Sequence, residues 1–129
     1  MISRPDIVLL EGLNVLQTPP GERRGAPQTF VSDFFDFSIY VDGEEEDILA
    51  WFTQRFLKLR QTAFRDPTSF FRQFAALSES EAKELAHKIW QEINGPNLRE
   101  NIMPTRERAR LVLRQGSDHG VAEVRLRRL

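Results

Sequence analysis

The chain has 129 residues, of which 40% are hydrophobic and 29% charged, and its formal net charge is −1; this balance is typical of a globular domain and excludes an intrinsically disordered protein. The absence of cysteine excludes disulfides and thiolate metal sites, and two histidines are too few to predict a zinc site. No apolar run approaches the ~20 residues of a membrane span, and a charge and a proline precede the first apolar stretch, so we expect a cytoplasmic protein with neither a membrane nor nucleic acid as a partner.

The first predicted element is a buried strand. Residues 7–10 read Ile-Val-Leu-Leu, and such an unbroken apolar run is typical of a central strand in a parallel sheet, covered on both faces. Glu11 follows at its carboxyl end, where α/β proteins bind ligands. This carboxylate could hold magnesium in a phosphoryl-transfer enzyme, or it could cap the next turn.

A loop, a second strand and a long helix are predicted next. Residues 14–28 contain three prolines and two glycines, which indicate a loop. The β-forming run at 37–41 predicts a strand. Residues 44–64 then predict a helix, because four acidic residues suit the positive end of the helix dipole and apolar residues, Phe52 and Phe56 among them, recur at helical spacing.

The same helix carries two arginines among aromatic residues. Arg55 and Arg60 could extend their guanidinium groups into solvent or meet an anion. Six of the ten phenylalanines fall between Phe52 and Phe74. Most of these rings are expected in the core, and a subset could line an apolar pocket.

Two further helices are predicted. An Asp-Pro pair at 66–67 is typical of a cap followed by a first turn, and it predicts a short helix there. Ser78 and Glu81 have the spacing of a capping box at the start of the next helix. The Gly-Pro pair at 95–96 predicts that this helix ends just after Asn94.

The last third of the chain is basic. Residues 97–129 carry eight arginines against four acidic residues, whereas residues 1–96 carry 10 Lys and Arg against 15 acidic residues. Such a segment is either a solvated charged tail or a site for a phosphorylated ligand, because arginine favours bidentate anion contacts. Residues 97–109 are predicted as a loop, and 111–113 and 121–126 as strands joined by a turn that contains His119.

The element order predicts an α/β fold, a mixed sheet with helices and a C-terminal β-hairpin. A buried central strand at 7–10 needs neighbours on both sides, so we expect the 129 residues to be a single partial domain. A phosphate-binding loop needs G-x-x-x-x-G-K-[ST]. The three lysines, Lys58, Lys83 and Lys88, neither follow a glycine nor precede Ser or Thr, so these residues alone are not expected to hold a nucleoside triphosphate in the usual way.

Eight stretches carry a resemblance to a known family, and they occur in its order along essentially the whole chain. They are residues 5–17, 30–34, 36–42, 55–58, 63–67, 97–102, 104–109 and 124–127. Together they resemble the C-terminal half of the type I (bacterial) pantothenate kinases. These are P-loop kinases with a three-layer fold, related to phosphoribulokinase and uridine kinase.

The resemblance implies roles for particular residues. Arg55 matches an arginine that approaches the transferred phosphate and the pantothenate hydroxyl, and Asn94 matches an asparagine that hydrogen-bonds pantothenate. His119 matches a histidine beside the adenine ring, and Glu11 is implied as a magnesium-associated acid. The apolar wall around pantothenate and the pantetheine arm of coenzyme A is matched by Phe56, Phe64, Phe71, Ile89 and Ile93.

The implied reaction is ATP-dependent phosphorylation of pantothenate to 4′-phosphopantothenate, the first step of coenzyme A biosynthesis. The implied cofactors are ATP and Mg²⁺ in the complete enzyme, with none bound by this chain alone, and coenzyme A is the implied feedback inhibitor. The family is homodimeric. The phosphate-binding loop and the general base belong to its N-terminal half, so we expect these residues to be inactive unless that half is supplied, for instance in trans.

Phe52 departs from the pattern, because the family usually has a tyrosine there whose hydroxyl contacts pantothenate; phenylalanine keeps the ring and loses a hydrogen bond worth about 0.5–1.5 kcal/mol. Other functions remain open. The chain could be a non-catalytic remnant or a module that binds coenzyme A or a pantetheine compound. A relative of uridine kinase or phosphoribulokinase is a further alternative, since these share the Leu-Glu-Gly pattern at residues 10–12.

Overall fold

A three-stranded mixed sheet joins the middle of the chain to its end. The computed structural model describes residues 4–18 and 29–128. Strand β1 (Ile39–Asp42) pairs in parallel with β2 (Leu111–Gln115), which pairs antiparallel with β3 (Val121–Leu126). The order β1-β2-β3 confirms the predicted α/β class, the mixed sheet and the C-terminal hairpin.

Helix α1 (Glu45–Gln61) and helix α2 (Glu79–Ile89) pack against each other in the connection between β1 and β2. The first turn of α1 is acidic, as predicted. The capping box of α2 is confirmed: the Ser78 N–H donates to Glu81 Oε2 at 2.7 Å, and the Glu81 N–H donates to Ser78 Oγ at 3.2 Å. These hydrogen bonds from Ser78, through its side chain and then its backbone, hold the pKa of Glu81 below its usual value.

The predicted helix end at 95–96 and the predicted loop at 97–109 are wrong. Helical backbone continues beyond α2 through a π-helical turn (Trp90–Asn94), a single α turn (Gly95–Asn97), a second π-helical turn (Leu98–Ile102) and a 3₁₀ segment (Met103–Arg108). The wider π turn, in which the Gly95 N–H donates to the Trp90 carbonyl, lets the helix pass a proline that has no N–H of its own. Gly95 keeps helical dihedral angles, φ −64° and ψ −51°, so it is used for close packing and not as a C-cap.

The short helix predicted to start at residues 66–67 is also wrong, because a hydrogen-bonded turn and then a 3₁₀ helix form there. Asp66 accepts hydrogen bonds from the Thr68 N–H at 2.8 Å and from the Thr68 hydroxyl at 2.6 Å, so its carboxylate closes a local turn. A 3₁₀ helix follows at Arg72–Ala76. Further 3₁₀ segments lie at Val31–Phe34 and Ala63–Arg65.

The strand predicted at 7–10 does not form. Residues 7–10 have no regular secondary structure and are exposed, Leu9 to 93%. A central strand is held by hydrogen bonds to a strand on each side. None of the three strands in the described residues pairs with residues 7–10. The predicted loop at 14–28 lies within the described residues only up to position 18.

Two apolar clusters form the core. The first lies between α1 and α2 and is built on Phe56, Phe64, Ala82 and Ala86. The second joins Leu16, Tyr40 and Ala109 beneath the sheet. None of the helices in the described residues has the length and apolar character needed to cross a lipid bilayer.

Replacing Gly95 by alanine tests the continuous helix. Alanine gains about 0.5–1 kcal/mol in helix propensity, but its Cβ would lie 2.9 Å from the Trp90 carbonyl oxygen and 3.2 Å from the Trp90 indole nitrogen. Overpacking of this kind costs about 1–3 kcal/mol. We therefore expect Gly95→Ala to lower the free energy of unfolding by about 1 kcal/mol in urea titrations.

Gly12→Ala is the matched control, because its added Cβ would make only an ordinary contact, 3.4 Å from Val15 Cγ1. We expect a change within about 0.5 kcal/mol for this variant. Equal stability of the two variants would contradict the close approach at Gly95.

Candidate substrate-binding site

Seven aromatic rings form one continuous set of contacts around the α1–α2 pair. Ring centroids lie 6.0 Å apart for Phe52 and Trp90, 5.5 Å for Phe56 and Phe64, and 5.3 Å for Phe64 and Phe71. The aromatic cluster, as it is called below, comprises Phe52, Phe56, Phe64, Phe70, Phe71, Phe74 and Trp90. The three phenylalanines predicted for the pantothenate wall and Phe52, which replaces the family's tyrosine, therefore lie together.

The aromatic cluster has a buried base and an exposed rim. Phe56 and Phe64 are 7% and 6% exposed, whereas Phe71 is 46% exposed. Ile89, also predicted for the wall, packs partly buried against the base. Ile93 lies farther along the helix and is exposed. A rim of this kind presents apolar surface to a ligand without opening the core.

Arg55 and Arg60, on the same helix, have different surroundings. Arg55 is exposed and makes no ion pair with any residue in 4–18 or 29–128. It directly precedes buried Phe56 in the sequence of α1. Arg60 instead donates from Nη1 to the Leu77 carbonyl and ties α1 to the segment before α2. Of the two arginines, Arg55 is the one with charge available for an anion.

Asn94 ends the π-helical turn Trp90–Asn94. Its side chain is half-buried and makes no hydrogen bond to another described residue. The contact of Trp90 with Phe52 brings this turn onto α1. Since π turns interrupt α-helices often at functional sites, an unpaired amide there is suited to a polar ligand.

His119 lies in the β2–β3 turn with φ 64°. Its ring stacks on Trp51, with centroids 4.4 Å apart and planes at 28°, and the Trp51 indole N–H donates to the Ser117 carbonyl at 3.2 Å. The turn is thereby held against α1. The sequence analysis did not name Trp51 as a site residue. Its helical spacing from Ile48 could have placed it on the packed side of α1. No local pattern, however, predicts its hydrogen bond to Ser117, which is 66 residues away.

Three arginines of the basic segment pair with acidic residues near the start of α1. Arg106 Nη1 lies 3.1 Å from Asp42 Oδ2. The other two pairs are Arg99 with Glu45 and Arg114 with Glu44. Burial, and then the Asp42 charge, raise the pKa of the Tyr40 phenol, two residues before Asp42 in β1. These ion pairs connect the helical segment 90–108 and β2 to the start of α1.

Two cavities lie away from the aromatic cluster. One of about 350 Å³ is lined in part by Arg108, Arg110 and Arg127, and another of about 350 Å³ lies beside Gln17 and Asn101. Neither is lined by a residue predicted for the site, because the predicted rings pack on one another. Glu11 is exposed, and no group of three His, Asp or Glu side chains in the described ranges could hold a metal ion.

The chain is similar in sequence to proteins named pantothenate kinase. Pantothenate kinase of Myxococcus xanthus is 59% identical over 129 residues, which is the whole of this chain and 41% of the relative. The enzymes of Mannheimia succiniciproducens and Pasteurella multocida, also named pantothenate kinase, are 60% identical over 98% and 99% of the chain and 39% of each relative. The matched region is the C-terminal part of these relatives.

The chain thus spans about two-fifths of the length of these pantothenate kinases. No family model matches it. The resemblance to pantothenate kinases is confirmed, and the relatives' names favour it over a uridine kinase or phosphoribulokinase. The roles of Arg55, Asn94, His119 and Glu11 and of the apolar wall stay predictions.

Proposed function

We propose that this chain forms the acceptor-substrate side of a pantothenate kinase, which transfers a phosphoryl group from ATP to pantothenate and yields 4′-phosphopantothenate. The observation that carries the proposal is the 55–60% identity to pantothenate kinases over the whole chain. On this proposal residues 1–129 are one partial domain, and sequence outside them supplies the phosphate-binding loop and the general base. The chain alone is then inactive.

The aromatic cluster supports an apolar substrate wall. Pantothenate and the pantetheine arm of coenzyme A are flexible chains with branched apolar parts, and exposed aromatic edges bind such groups by excluding water. In this proposal Phe52, Phe56, Phe64 and Phe71 line that wall, with Ile89 behind them. Ile93 extends the wall along the helix toward Asn94.

The polar roles fall to Asn94 and Arg55, whose side chains make no ion pair or hydrogen bond with another described residue. The Asn94 amide hydrogen-bonds the substrate. The Arg55 guanidinium neutralises charge that develops on the transferred phosphoryl group, which is the main way a protein assists this reaction. Neither residue needs to break an existing ion pair to do so.

The nucleotide side is only partly present in these residues. His119, already stacked on one face against Trp51, is proposed to lie beside the adenine ring. Glu11 supplies one carboxylate, and the described residues contain no group that holds Mg²⁺ by itself. In this proposal magnesium and the triphosphate are held mainly by the N-terminal part of the enzyme, and Glu11 contributes at most one carboxylate.

Further properties follow from the family proposal. Coenzyme A, which carries both an adenine nucleotide and a pantetheine arm, inhibits by occupying the wall and the His119 side together. The complete enzyme is a cytoplasmic homodimer. These statements rest on the family resemblance.

Reconstitution tests the proposed function. The chain is mixed with the part of the Myxococcus xanthus enzyme that precedes the matched region, and in a second sample the two are fused. We expect phosphopantothenate only when both parts are present, because neither the phosphate-binding loop nor the general base lies in residues 1–129. A coupled ATPase assay with pantothenate measures it.

Two outcomes would contradict the proposal. Phosphopantothenate formed by the 129 residues alone would show that the chain needs no second part. No activity in the fusion, combined with coenzyme A binding to the chain in calorimetry, would favour the alternative of a non-catalytic binding module. That alternative has its own support, since the aromatic cluster is complete within the chain.

Replacing Arg55 by alanine tests the proposed catalytic arginine in the active fusion. Loss of a group that stabilises transition-state charge typically lowers kcat by about 10²–10³-fold, and we expect an effect of that size. Lys58→Ala is the control, because Lys58 is also exposed on α1, one turn farther along. Equal activity of the two variants would exclude the role given to Arg55.

Phe52→Tyr tests the substrate wall. A hydroxyl at this position restores one hydrogen bond, worth about 0.5–1.5 kcal/mol, so we expect KM for pantothenate to fall about 2–12-fold in the fusion while KM for ATP stays constant. Phe34→Tyr makes the same change on an exposed ring outside the aromatic cluster and should leave both values unchanged. An unaltered KM in Phe52→Tyr would remove Phe52 from the wall.

A further inference from the structure

One of the two cavities lies at the edge of the sheet where its parallel strands begin. Ser38 directly precedes β1 and Arg110 directly precedes β2, whereas Arg127 directly follows β3, which runs the other way. These three residues and Arg108 line a cavity of about 350 Å³, which is called the arginine cavity below. The His119 turn connects β2 to β3 at the other edge, so the arginine cavity is separate from the proposed nucleotide side.

The three arginines of the cavity form no ion pair with any residue that the structure describes. Arg108 donates from Nη2 to Ser32 Oγ at 2.9 Å, and Arg127 donates from Nη1 to the Glu107 carbonyl at 2.7 Å, so both acceptors are neutral. The Arg110 guanidinium is half-buried and makes no hydrogen bond within the described ranges. Three positive charges around one space, none of them paired with a carboxylate, favour an anion there.

The other arginines of the basic segment are different. Four of the eight arginines in residues 97–129 pair with acidic side chains, and these are Arg99, Arg106, Arg114 and Arg125. Apart from Arg128 near the end of the chain, all the remaining ones line the arginine cavity. Contacts within the chain therefore explain half of this basic segment, and the cavity collects most of the rest.

We propose that the arginine cavity binds a small phosphate monoester, at a site separate from the one proposed for phosphoryl transfer. The phosphate group of a monoester carries a charge of about −1.5 to −2 at pH 7. Three arginines against one acidic lining residue, Asp36, leave the cavity with a net charge of +2, so ligand and cavity balance. Arginine also presents a planar fork of N–H donors that matches the oxygens of a phosphate.

The apolar part of the lining suits the organic part of such a ligand. Leu16, Phe35 and Phe37 line the same cavity. Leu16 is buried, whereas Phe37 is 50% exposed, so one aromatic ring is accessible beside the arginines. The cavity volume is at the lower end of the range for small-ligand sites, about 300–1,000 Å³. The ligand is therefore a small molecule and not a polymer.

Calorimetry in a phosphate-free buffer tests the site, with inorganic phosphate and phenyl phosphate as probes. We expect both to bind the chain, and phenyl phosphate to bind more tightly because its ring can pack on Phe37. Arg110→Gln should weaken the binding of both by at least about 10-fold, because a hydrogen bond from a charged group is lost. Asp36→Asn should strengthen it by about 2–5-fold, since a like charge leaves the lining. Damage to the fold would not produce tighter binding.

Arg65→Gln is the matched control. It removes the same charge from an exposed position that does not line the cavity, and it should bind both probes within about twofold of wild type. Equal weakening in Arg65→Gln and Arg110→Gln would overturn the proposal, because the overall charge of the chain would then be responsible. Unchanged binding in Arg110→Gln, or no binding of either probe to the wild-type chain, would also overturn it.

Two further titrations identify what the arginines bind. The fusion with the N-terminal part of the Myxococcus xanthus enzyme should still bind phenyl phosphate. Loss of binding there would overturn the proposal, because acidic side chains of the added part would then occupy the arginines. Arg55→Ala should bind phenyl phosphate like wild type, and loss of binding in this variant would assign the phosphate to the proposed catalytic arginine instead. None of these results depends on whether the fusion makes phosphopantothenate.

Discussion

The parallel pairing of β1 with β2 is the constraint on which the rest of the structure depends. The Arg110 N–H donates to Ser38 Oγ at 3.1 Å across a separation of 72 residues, and closing a loop of that length costs roughly 4 kcal/mol in chain entropy. Burial of the Tyr40 side chain against Leu16 and Ala109 offsets this entropic cost. The Asp42–Arg106 ion pair at the end of β1 is short, at 3.1 Å, and adds to the closure.

Nearly all the residues predicted to meet pantothenate lie inside that closed connection. Arg55 is on its first helix and Asn94 in the π-helical turn that continues its second, so their separation depends on how α1 and α2 pack. That packing depends on large rings in mutual contact, with Phe56 at the centre. The ion pairs near the start of α1 fix the same helix to β2, and through it the aromatic cluster is oriented relative to the sheet.

Local patterns were enough to predict most helices and strands, and they failed where the structure depends on distant contacts. The capping box of Ser78 and the acidic start of α1 act within one turn, so both were predicted correctly. The helix does not end at the Gly-Pro pair of 95–96, because packing against Trp90 requires the glycine and a π turn accommodates the proline. The site followed the same division: the rings of the predicted wall were named from the family resemblance, whereas the Trp51–His119 stack joins residues that are far apart in the sequence.

The strand predicted at 7–10 and the open face of the sheet, which carries Ile39, Val41, Val124 and Leu126, have one physical explanation. Both are apolar surfaces typical of the interior of an α/β sheet, and both are exposed within the described residues. The aromatic cluster, by contrast, buries Phe56 and Phe64 without help from any other polypeptide. The core around the predicted substrate wall is therefore complete within the described residues, whereas the sheet keeps one apolar face exposed. The difference arises because the rings pack on residues close to them in the sequence, whereas a strand at 7–10 and an interior sheet face both need partners from distant segments.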